Sequence, residues 1–437
     1  MSSDVLARIQ ERGHIGIRLG LDRMRALLSR LDDPQQALRG VLIGGTNGKG
    51  SVGAMLATMC KEAGVRASHS PSPHLHSYRE RIIIDGQPIG ADDLDSILEE
   101  VLLASEHGEG RHGPATEFEL LTAAAFLWSA RQQVEVVIME VGLGGRLDAT
   151  NTWQADVAAI TNVALDHQQY LGHTVEAVAR EKAAIIKRGS RAVTAAHGAA
   201  LTIIMRRART LDVPLTVCEA LPIEQMDRSG LGLRHERMGQ LHLALLGRHQ
   251  AQNAATALAV AAALDQAGVV SIDDASQVRG LAQTRWPGRL ELLDRRGRPV
   301  ILDGAHNPDG AAALAAAIDD LKGSLPPGRA TLLLGIMRDK EVSDVLTALT
   351  RADALRKARF VAAAVPDTDR SLSAAELATA WEETAGTVPA AAIEDADAAL
   401  DRALAIAADE GGPLIVAGSL YLVGHIRARL LPAGVEG

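Results

Sequence analysis

The chain has 437 residues, of which 47% are hydrophobic and 23% charged, and its net charge is −9. This length is large for one domain, so we expect two domains with separate cores. The negative charge argues against nucleic acid or an anionic membrane as a partner, and an aromatic content of 2% argues against base stacking along a nucleic-acid strand. The N-terminus has no basic-then-apolar signal segment, and no apolar run approaches the ~20 residues that span a bilayer. We therefore expect a cytoplasmic protein, and independently of these observations we take a monomer as the working expectation.

The first informative segment is a glycine-rich loop that follows a short apolar run. Apolar residues at helical spacing predict helices over residues 1–40, and the run at 41–43 then ends in Gly-Gly-Thr-Asn-Gly-Lys-Gly-Ser at 44–51. In a nucleotide phosphate loop, glycines let backbone amides converge on phosphate oxygens, the lysine reaches the terminal phosphates and the hydroxyl binds Mg²⁺. Here Gly50 separates Lys49 from Ser51, although the general pattern joins them directly. The loop therefore indicates a restricted branch of ATP-binding proteins.

The rest of the chain alternates strand and helix patterns. The first half predicts a strand and turn at 81–86, a helix at 116–130, strands at 134–139 and 157–160, and a helix at 174–188. After residue 290, candidate strands at 300–302, 331–334, 360–365 and 414–417 alternate with helical runs at 311–321, 342–349 and 396–407. This series predicts a mostly parallel sheet covered by helices. Turn residues at 285–288 place the boundary between a domain of residues 1–287 and one of residues 288–437.

Two polar residues follow predicted strands of the first domain. Glu140 ends a buried strand and precedes a glycine cluster, and His167 follows the strand at 157–160. A carboxylate at the carboxyl end of a parallel strand can hold Mg²⁺, or it can be a solvated strand-end acid. His167 can be a structural residue or a ligand, and Mg²⁺ prefers oxygen.

Lys182 falls in the apolar stripe of the predicted helix at 174–188. Burying an ammonium group is expensive, so such a lysine either extends its charge to solvent or to an acid, or is kept neutral. A neutral amine can add CO₂, and the resulting carbamate is an anionic oxygen ligand for a metal.

In the second domain, Asp303, His306 and Asn307 lie where a strand opens into a helix, which is the usual location of ligand contacts. Asp303 can equally be a turn former. Arg289 follows Pro287-Gly288 and is either a surface residue or one that reaches nucleotide phosphates.

Ten motifs stand in order along the chain. They are Gly-Thr-Asn-Gly-Lys-Gly-Ser at 45–51, Ser-Pro-His-Leu at 72–75, Glu-Val-Gly-Leu-Gly-Gly-Arg-Leu-Asp-Ala-Thr-Asn at 140–151, Leu-Asp-His at 165–167, Arg-Glu-Lys-Ala at 180–183, Asn-Ala-Ala-Thr at 253–256, Pro-Gly-Arg at 287–289, Asp-Gly-Ala-His-Asn-Pro at 303–308, Asp-Lys at 339–340 and Gly-Ser-Leu-Tyr-Leu-Val at 418–423. Together they resemble the folylpolyglutamate synthase/dihydrofolate synthase family of the Mur ligase superfamily, from about residue 13 to residue 430. The inserted Gly50 is this family's own form of the loop.

The resemblance implies an α/β fold, with an N-terminal P-loop ATPase domain of Mur ligase type and a C-terminal Rossmann-like domain with a mostly parallel sheet. It also implies a role for each matching residue. The implied ATP contacts are Asn47, Gly48, Lys49, Gly50, Ser51, Asn253, Arg289 and Asp303, with His306 close by as a catalytic residue beside Lys49 and Lys182. The implied magnesium ligands are Ser51, Ser72, Glu140 and His167. The implied contacts of the pterin-bearing substrate are Thr116, Glu117, Phe118, Glu119, Leu147, Asp148 and Ala149.

One position departs from the family pattern, which often has an aromatic residue where this chain has Glu117. The pterin ring would then rely on few aromatic side chains, with Phe118, Tyr170 and Trp153 as candidates.

The implied reaction is ATP-driven amide formation between a folate or dihydropteroate and L-glutamate, through an acyl phosphate, with two Mg²⁺ ions and a carbamylated Lys182. Two rivals remain: a Mur-type ligase that adds an amino acid to a UDP-sugar peptide, and a non-catalytic ATP-binding regulator.

Overall fold

The computed structural model describes residues 4–107, 113–295 and 297–431, and the chain divides into two compact units. The first unit comprises Met1–Ala220 and Gln252–Gln283, and the second comprises Leu221–Ala251 and Thr284–Gly437. The segment Leu221–Ala251 thus belongs to the second unit although it precedes the last part of the first. The sequence pattern did not predict that this segment belongs to the second unit. The domain boundary at residue 287 stays a prediction.

The first unit is built on an eight-stranded sheet with the order β4-β3-β2-β5-β1-β6-β7-β8. Six neighbouring strands are parallel, in the order β2-β5-β1-β6-β7-β8. At one edge of the sheet, β3 pairs antiparallel with β2, and β4 pairs antiparallel with β3. Its strands are β1 Gly40–Gly44, β2 Ala67–Ser70, β3 Ile83–Ile84, β4 Gln87–Pro88, β5 Val136–Glu140, β6 Val157–Ile160, β7 Arg191–Thr194 and β8 Leu215–Val217. All residues of β1, β5 and β6 are buried, as expected for central strands of a parallel sheet.

The helices of this unit cover the sheet. They are α1 Asp4–Glu11, α2 Asp22–Arg30, α3 Lys49–Glu62, α4 Ala91–Glu106, α5 Glu117–Arg131, α6 Gln168–Leu171, α7 Val175–Ala183, α8 Gly198–Leu211, α9 His249–Gln266 and α10 Asp274–Gln283, with short 3₁₀ helices at Arg12–Ile15, Pro34–Ala37, Tyr78–Arg81 and Ala149–Thr152. The first three residues of α9 belong to the second unit.

The second unit contains two sheets. A three-stranded antiparallel sheet is formed by β9 Ile223–Asp227, β10 Gly230–His235 and β11 Gly239–Leu243. A six-stranded sheet has the order β12-β13-β17-β14-β15-β16, in which only β12 is antiparallel. Its strands are β12 Glu291–Arg295, β13 Arg298–Leu302, β14 Arg329–Leu334, β15 Arg359–Ala363, β16 Ala391–Ile393 and β17 Gly411–Ala417. The helices are α11 Pro308–Leu321, α12 Val342–Leu349, α13 Asp353–Arg356, α14 Ala374–Ala385, α15 Ala396–Glu410 and α16 Leu420–Leu430, with a 3₁₀ helix at Lys322–Ser324.

The predicted βαβ series is confirmed in both units, but the predicted helix at 174–188 is too long. Helix α7 ends at Ala183, and Ile185 and Ile186 already lie in turns. The amide of Arg146 donates to the carbonyl of Glu181 at 3.0 Å, so a neighbouring loop takes a carbonyl that a longer helix would use internally. The antiparallel sheet was not predicted, because a strand such as β9 is largely exposed and shows little alternation.

Helices α3 and α10 pack closely at one glycine. A Cβ atom placed on Gly280 would lie 2.7 Å from Met59 Cα and 2.8 Å from Met59 N, so this helix contact depends on the missing side chain. Arg279 on α10 adds an ion pair with Glu62, at 2.9 Å.

Replacing Gly280 with Val is expected to lower the free energy of unfolding by about 1–3 kcal/mol, because the backbone of α3 cannot yield to a new side chain. Urea unfolding measures this change. The matched control is Gly323→Ala, since a Cβ there meets nothing within 4 Å, and a change of less than about 0.5 kcal/mol is expected. Equal stability of Gly280→Val and the wild type would contradict the packing argument.

Candidate active site

The phosphate loop joins β1 to α3 and is fixed by residues that follow β6. The Asn162 side chain accepts from the amide of Asn47 at 2.7 Å, and the Thr161 hydroxyl donates to the Asn47 carbonyl at 2.6 Å. Gly48 has φ +85°, and a Cβ there would collide with the side-chain amide of Asn253. The structure therefore brings the predicted residue Asn253 against the predicted loop, and only glycine leaves room for it.

Two lysines converge on one backbone carbonyl in this loop. Lys49 Nζ donates to Gly45 O at 3.1 Å and to Thr46 O at 3.2 Å, and Lys182 Nζ donates to Gly45 O at 2.9 Å. Lys182 is 5% exposed, as its place in the apolar stripe of the sequence suggested. Burial, together with the nearby charge of Lys49, lowers the pKa of Lys182 to about 7, and Asp166 and Asp148 oppose this shift. A substantial fraction of this amine is therefore neutral near pH 7.

The glycine cluster after β5 lets the backbone lie close to α7, the helix that carries Lys182. A Cβ on Gly145 would lie 2.7 Å from the carbonyl oxygen of Glu181 and 3.2 Å from Lys182 Cα. At this position the close approach that glycine permits is to α7.

The Asp148 side chain stabilises the glycine-rich segment that follows β5. Its carboxylate accepts from the amide of Leu143 at 2.8 Å and from the amide of Thr150 at 3.0 Å, and it caps the 3₁₀ helix Ala149–Thr152. Burial raises the pKa of Asp148, and these hydrogen bonds oppose the rise. The carboxylate therefore orders the loop around Ala149. Leu147, the third predicted substrate residue of this segment, is half-buried.

Glu140 is the last residue of β5 and its carboxylate is buried. Within the described residues, its hydrogen-bond partners are His69 Nε2 and the amide of Ser72, each at 3.4 Å. A buried carboxylate with such long contacts and no lysine or arginine in an ion pair is suited to bind a divalent cation. The described residues contain no group of three or more His, Cys, Asp or Glu that could hold a metal, so hydroxyl groups and water would have to complete the coordination.

The other predicted metal ligands lie on three separate elements. Ser51 is buried in the first turn of α3, and Ser72 lies in the loop after β2. His167 has φ +49° and begins α6, where its amide donates to its neighbour Asp166 at 2.8 Å.

A pocket in the first unit joins Ser72 and Glu140 to the predicted substrate segment. Its lining residues are Ser70, Pro71, Ser72, Arg81, Phe118, Leu121, Thr122, Met139, Glu140 and Thr150. Predicted metal ligands and the ring of Phe118 therefore border the same space.

The neighbours of Phe118 have mainly structural contacts. Thr116 and Glu119 form a capping box at the start of α5, and Glu119 also pairs with Arg23 at 3.1 Å. Glu117 accepts from the Tyr78 hydroxyl at 2.6 Å.

Among the candidate rings for a pterin, Trp153 is buried against Phe126, with ring centroids 5.9 Å apart. Trp153 thus belongs to the core, whereas Phe118 borders the pocket and Tyr170 is exposed.

Arg81 is a site residue that no sequence motif indicated. Its Nη1 donates to Ser72 Oγ at 2.8 Å and its Nε donates to His74 Nδ1 at 3.0 Å. Burial lowers the pKa of His74 to about 3, and the charge of Arg81 contributes, so the ring is a neutral acceptor. The sequence showed Arg81 only as the start of a strand, and its link to Ser72 depends on the turn between them.

In the second unit, three predicted residues surround Gly304. Asp303 follows β13 and accepts from the amides of Leu290 at 2.8 Å and Ala305 at 2.9 Å. Burial raises the pKa of Asp303, whereas Arg289 and these hydrogen bonds oppose the rise. The Arg289 guanidinium lies against Gly304, and His306 Nδ1 contacts the Gly304 carbonyl at 2.8 Å. Since a carbonyl only accepts, His306 Nδ1 carries the proton.

No helix within the described residues is long and apolar enough to cross a membrane.

Comparison with known proteins identifies two matching family models. The Mur ligase middle domain matches residues 43–261, and the Mur ligase glutamate ligase domain matches residues 288–420. A dihydrofolate synthase/folylpolyglutamate synthase of Bacillus subtilis is 34% identical, over 98% of this chain and 98% of its own length.

Solved structures are similar over the same extent. A Mycobacterium tuberculosis folylpolyglutamate synthase complexed with ADP and AMPPCP has a TM-score of 0.86 and 30% identity, and the match covers 98% of this chain and 99% of that one. A bifunctional folylpolyglutamate synthase/dihydrofolate synthase with Mn, AMPPNP and L-glutamate bound has a TM-score of 0.81 and 29% identity, with 98% of each chain covered. The phosphate loop, the parallel sheets and these matches lead to one conclusion: the chain belongs to the folylpolyglutamate synthase/dihydrofolate synthase family of Mur ligases.

Proposed function

We propose that this protein is an ATP-dependent ligase that adds L-glutamate to folates through an acyl-phosphate intermediate. The observation that carries the proposal is the convergence of Lys49 and Lys182 on the Gly45 carbonyl, at the end of a phosphate loop. The names of the relatives support the substrates, since they include both folylpolyglutamate synthase and dihydrofolate synthase. Those names favour the folate branch over a ligase for UDP-sugar peptides.

The reaction has two steps. A carboxylate oxygen of the folate attacks the γ-phosphorus of ATP, and the bond to the β-phosphate oxygen breaks to give an acyl phosphate and ADP. The amine of L-glutamate then attacks the acyl carbon, phosphate leaves, and the amine gives up a proton.

Residues of the first unit bind and orient the phosphates. The amides of the loop from Asn47 to Ser51 and the ammonium group of Lys49 would neutralise charge on the transferred phosphoryl group, at the N-terminus of α3. Lys49 donates to Gly45 O and Thr46 O in the structure, so these bonds hold its side chain along the loop. Asn253, beside Gly48, would contact the nucleotide from the other side.

Divalent cations fit the residues around Glu140. Ser51, Ser72, Glu140 and His167 would hold Mg²⁺, two ions in our proposal, and the metal supplies positive charge for the phosphates when bound. Arg81 contributes by fixing the Ser72 hydroxyl, at 2.8 Å.

Lys182 is proposed to act as a carbamate. Its amine is buried and has a pKa of about 7, so the neutral form that adds CO₂ is accessible at physiological pH. Addition to the neutral amine joins the nitrogen to the carbon of CO₂ and releases one proton, so a buried neutral group becomes an anion beside Lys49.

Arg289, Asp303 and His306 are proposed as the contribution of the second unit. Asp303 and Arg289 would bind the nucleotide, and His306 would lie near the reacting groups. The buried Asp303 carboxylate fixes the backbone at Leu290 and Ala305 and so holds this set together.

Phe118 and the pocket residues are proposed to receive the pterin-bearing substrate, together with Thr116, Glu117, Glu119, Leu147, Asp148 and Ala149. Use of dihydropteroate as a second acceptor is also proposed, since the Bacillus subtilis relative is named for both activities. We propose a cytoplasmic monomer.

Phosphate release from ATP is expected to require both a folate and L-glutamate, with mass spectrometry showing a product that is one glutamate heavier. Lys49→Ala is expected to lower kcat/KM by about 100-fold or more, because a donor to the transferred phosphate is lost. Lys61→Ala, an exposed lysine on the same helix, is the control and is expected to leave the rate unchanged. Phosphate release without either acceptor would instead support an ATP-binding regulator, and mass spectra with dihydropteroate test the second activity.

Lys182→Ala is expected to lower turnover by about 100-fold or more, and added short carboxylates are expected to restore part of it by replacing the carbamate. The control is Lys187→Gln, since Lys187 is a second half-buried lysine, which donates to the carbonyls of Asn151 and Trp153. Steady-state kinetics measure both variants. Wild-type turnover of Lys182→Ala would refute a role for the lysine.

Carbamate formation is expected to rise with pH. Burial lowers the pKa of Lys182 to about 7, so the amine is protonated below pH 7 and neutral above it. At constant dissolved CO₂, the rate of carbamate formation is expected to increase roughly tenfold from pH 6 to pH 8. Carbon-13 NMR with labelled bicarbonate follows the signal, which Lys182→Ala is expected to lack and Lys187→Gln to retain. A rate independent of pH in this range would count against the shifted pKa.

A further inference from the structure

A short segment of the second unit, Gly247–His249, has no role in the proposed site. Arg248 forms an ion pair with Asp320 of α11, with Nε 2.8 Å from Oδ2. The amide of Gln250 donates to the Gly247 carbonyl at 2.9 Å, which closes the turn at the start of α9. The backbone that carries His249 is therefore anchored independently of any ligand.

The ring of His249 and the side chain of Leu290 share the space over Gly247. A Cβ on Gly247 would lie 2.6 Å from His249 Cε1 and 2.6 Å from Leu290 Cδ1. Leu290 is 1% exposed, so its side chain has no alternative position in solvent. The imidazole ring is thus one wall of the site that holds Leu290.

Leu290 has an unusual backbone. Its φ is +47°, a left-handed conformation that costs a non-glycine residue free energy and persists only when its surroundings hold it. One restraint is the hydrogen bond from its amide to Asp303 Oδ2, at 2.8 Å. The His249 ring borders the same space over Gly247 and so limits the room for the Leu290 side chain, which is a second restraint.

The left-handed turn at Leu290 orients the backbone of Arg289 relative to strand β12, which begins at Glu291. Arg289 directs its guanidinium against Gly304, and the amide of Gly304 donates to the carbonyl of Gly288 at 2.9 Å. If Leu290 relaxed to an ordinary conformation, the direction of the Arg289 side chain would change with it.

The ring of His249 is suited to this position because it is neutral. Burial, with a smaller contribution from the charge of Arg289, lowers its pKa to about 4, and Asp309 opposes this shift. Its Nδ1 is buried and has no hydrogen-bond partner within the described residues. A protonated ring here would repel Arg289.

We propose that His249 is a positioning residue for Arg289. The His249 ring acts by holding Leu290 in its left-handed conformation. This inference rests on the proposed function, in which Arg289 binds the nucleotide.

A double-mutant cycle with His249→Ala, Arg289→Ala and the double variant tests the proposal. Arg289→Ala is expected to raise KM for ATP by roughly 10–100-fold, because a charge-assisted contact is lost. His249→Ala is expected to raise KM for ATP by a smaller factor, with little change in kcat. The double variant is expected to have the same KM for ATP as Arg289→Ala alone. Independent effects that multiply in the double variant would overturn the proposal.

His249→Phe distinguishes packing from hydrogen bonding and also covers the case in which His249→Ala fails to fold. Phenylalanine retains a ring against Leu290 and removes Nδ1, so KM for ATP is expected to stay within about twofold of the wild type. A loss as large as that of Arg289→Ala would mean that Nδ1 itself binds the ligand, and would overturn the positioning role. His425→Ala, a surface histidine of the same unit paired with Asp397, is the matched control.

The outcomes separate the two proposals. An unchanged KM in Arg289→Ala would refute the nucleotide role of Arg289 and remove the basis of this inference. A raised KM in Arg289→Ala together with a wild-type KM in His249→Ala would refute the inference alone.

Discussion

The candidate site depends on the Gly45 carbonyl, which accepts hydrogen bonds from both Lys49 and Lys182. Two ammonium groups that share one acceptor repel each other, and burial of Lys182 removes the solvent that would screen this repulsion. The structure relieves the repulsion by favouring the neutral form of the buried amine. Burial, with the charge of Lys49 as the second cause, therefore sets the chemistry available to Lys182.

Several features of the first unit support this contact. Thr161 and Asn162 hold the loop from the end of β6, and the glycine cluster after β5 lets its backbone lie against α7 beside Lys182. Asp148 supports that cluster through the amide of Leu143. These residues fix the distance between the loop and the lysine, so substitutions among them would act on the site without touching a substrate.

The second unit uses a similar principle with different residues. The buried Asp303 carboxylate accepts from backbone amides and holds the left-handed Leu290, while Arg289 and His306 lie against Gly304. In each unit a buried, strained or desolvated group orders the backbone around residues that we propose as nucleotide contacts.

The sequence by itself determined the alternating strand and helix series, the phosphate loop, the family and the place of Lys182 in an apolar stripe. These properties follow from local composition and from periodicity, such as the apolar run of β5 and the apolar stripe around Lys182. The end of α7, the excursion of Leu221–Ala251 into the second unit and the link from Arg81 to Ser72 were decided by the tertiary structure. The same holds for the two lysines that share the Gly45 carbonyl, and for the His249 and Leu290 side chains that border one space over Gly247. Each of these joins residues distant in sequence or depends on a backbone angle, and a hydrogen bond or a packing contact between such residues leaves no periodic signal in the chain.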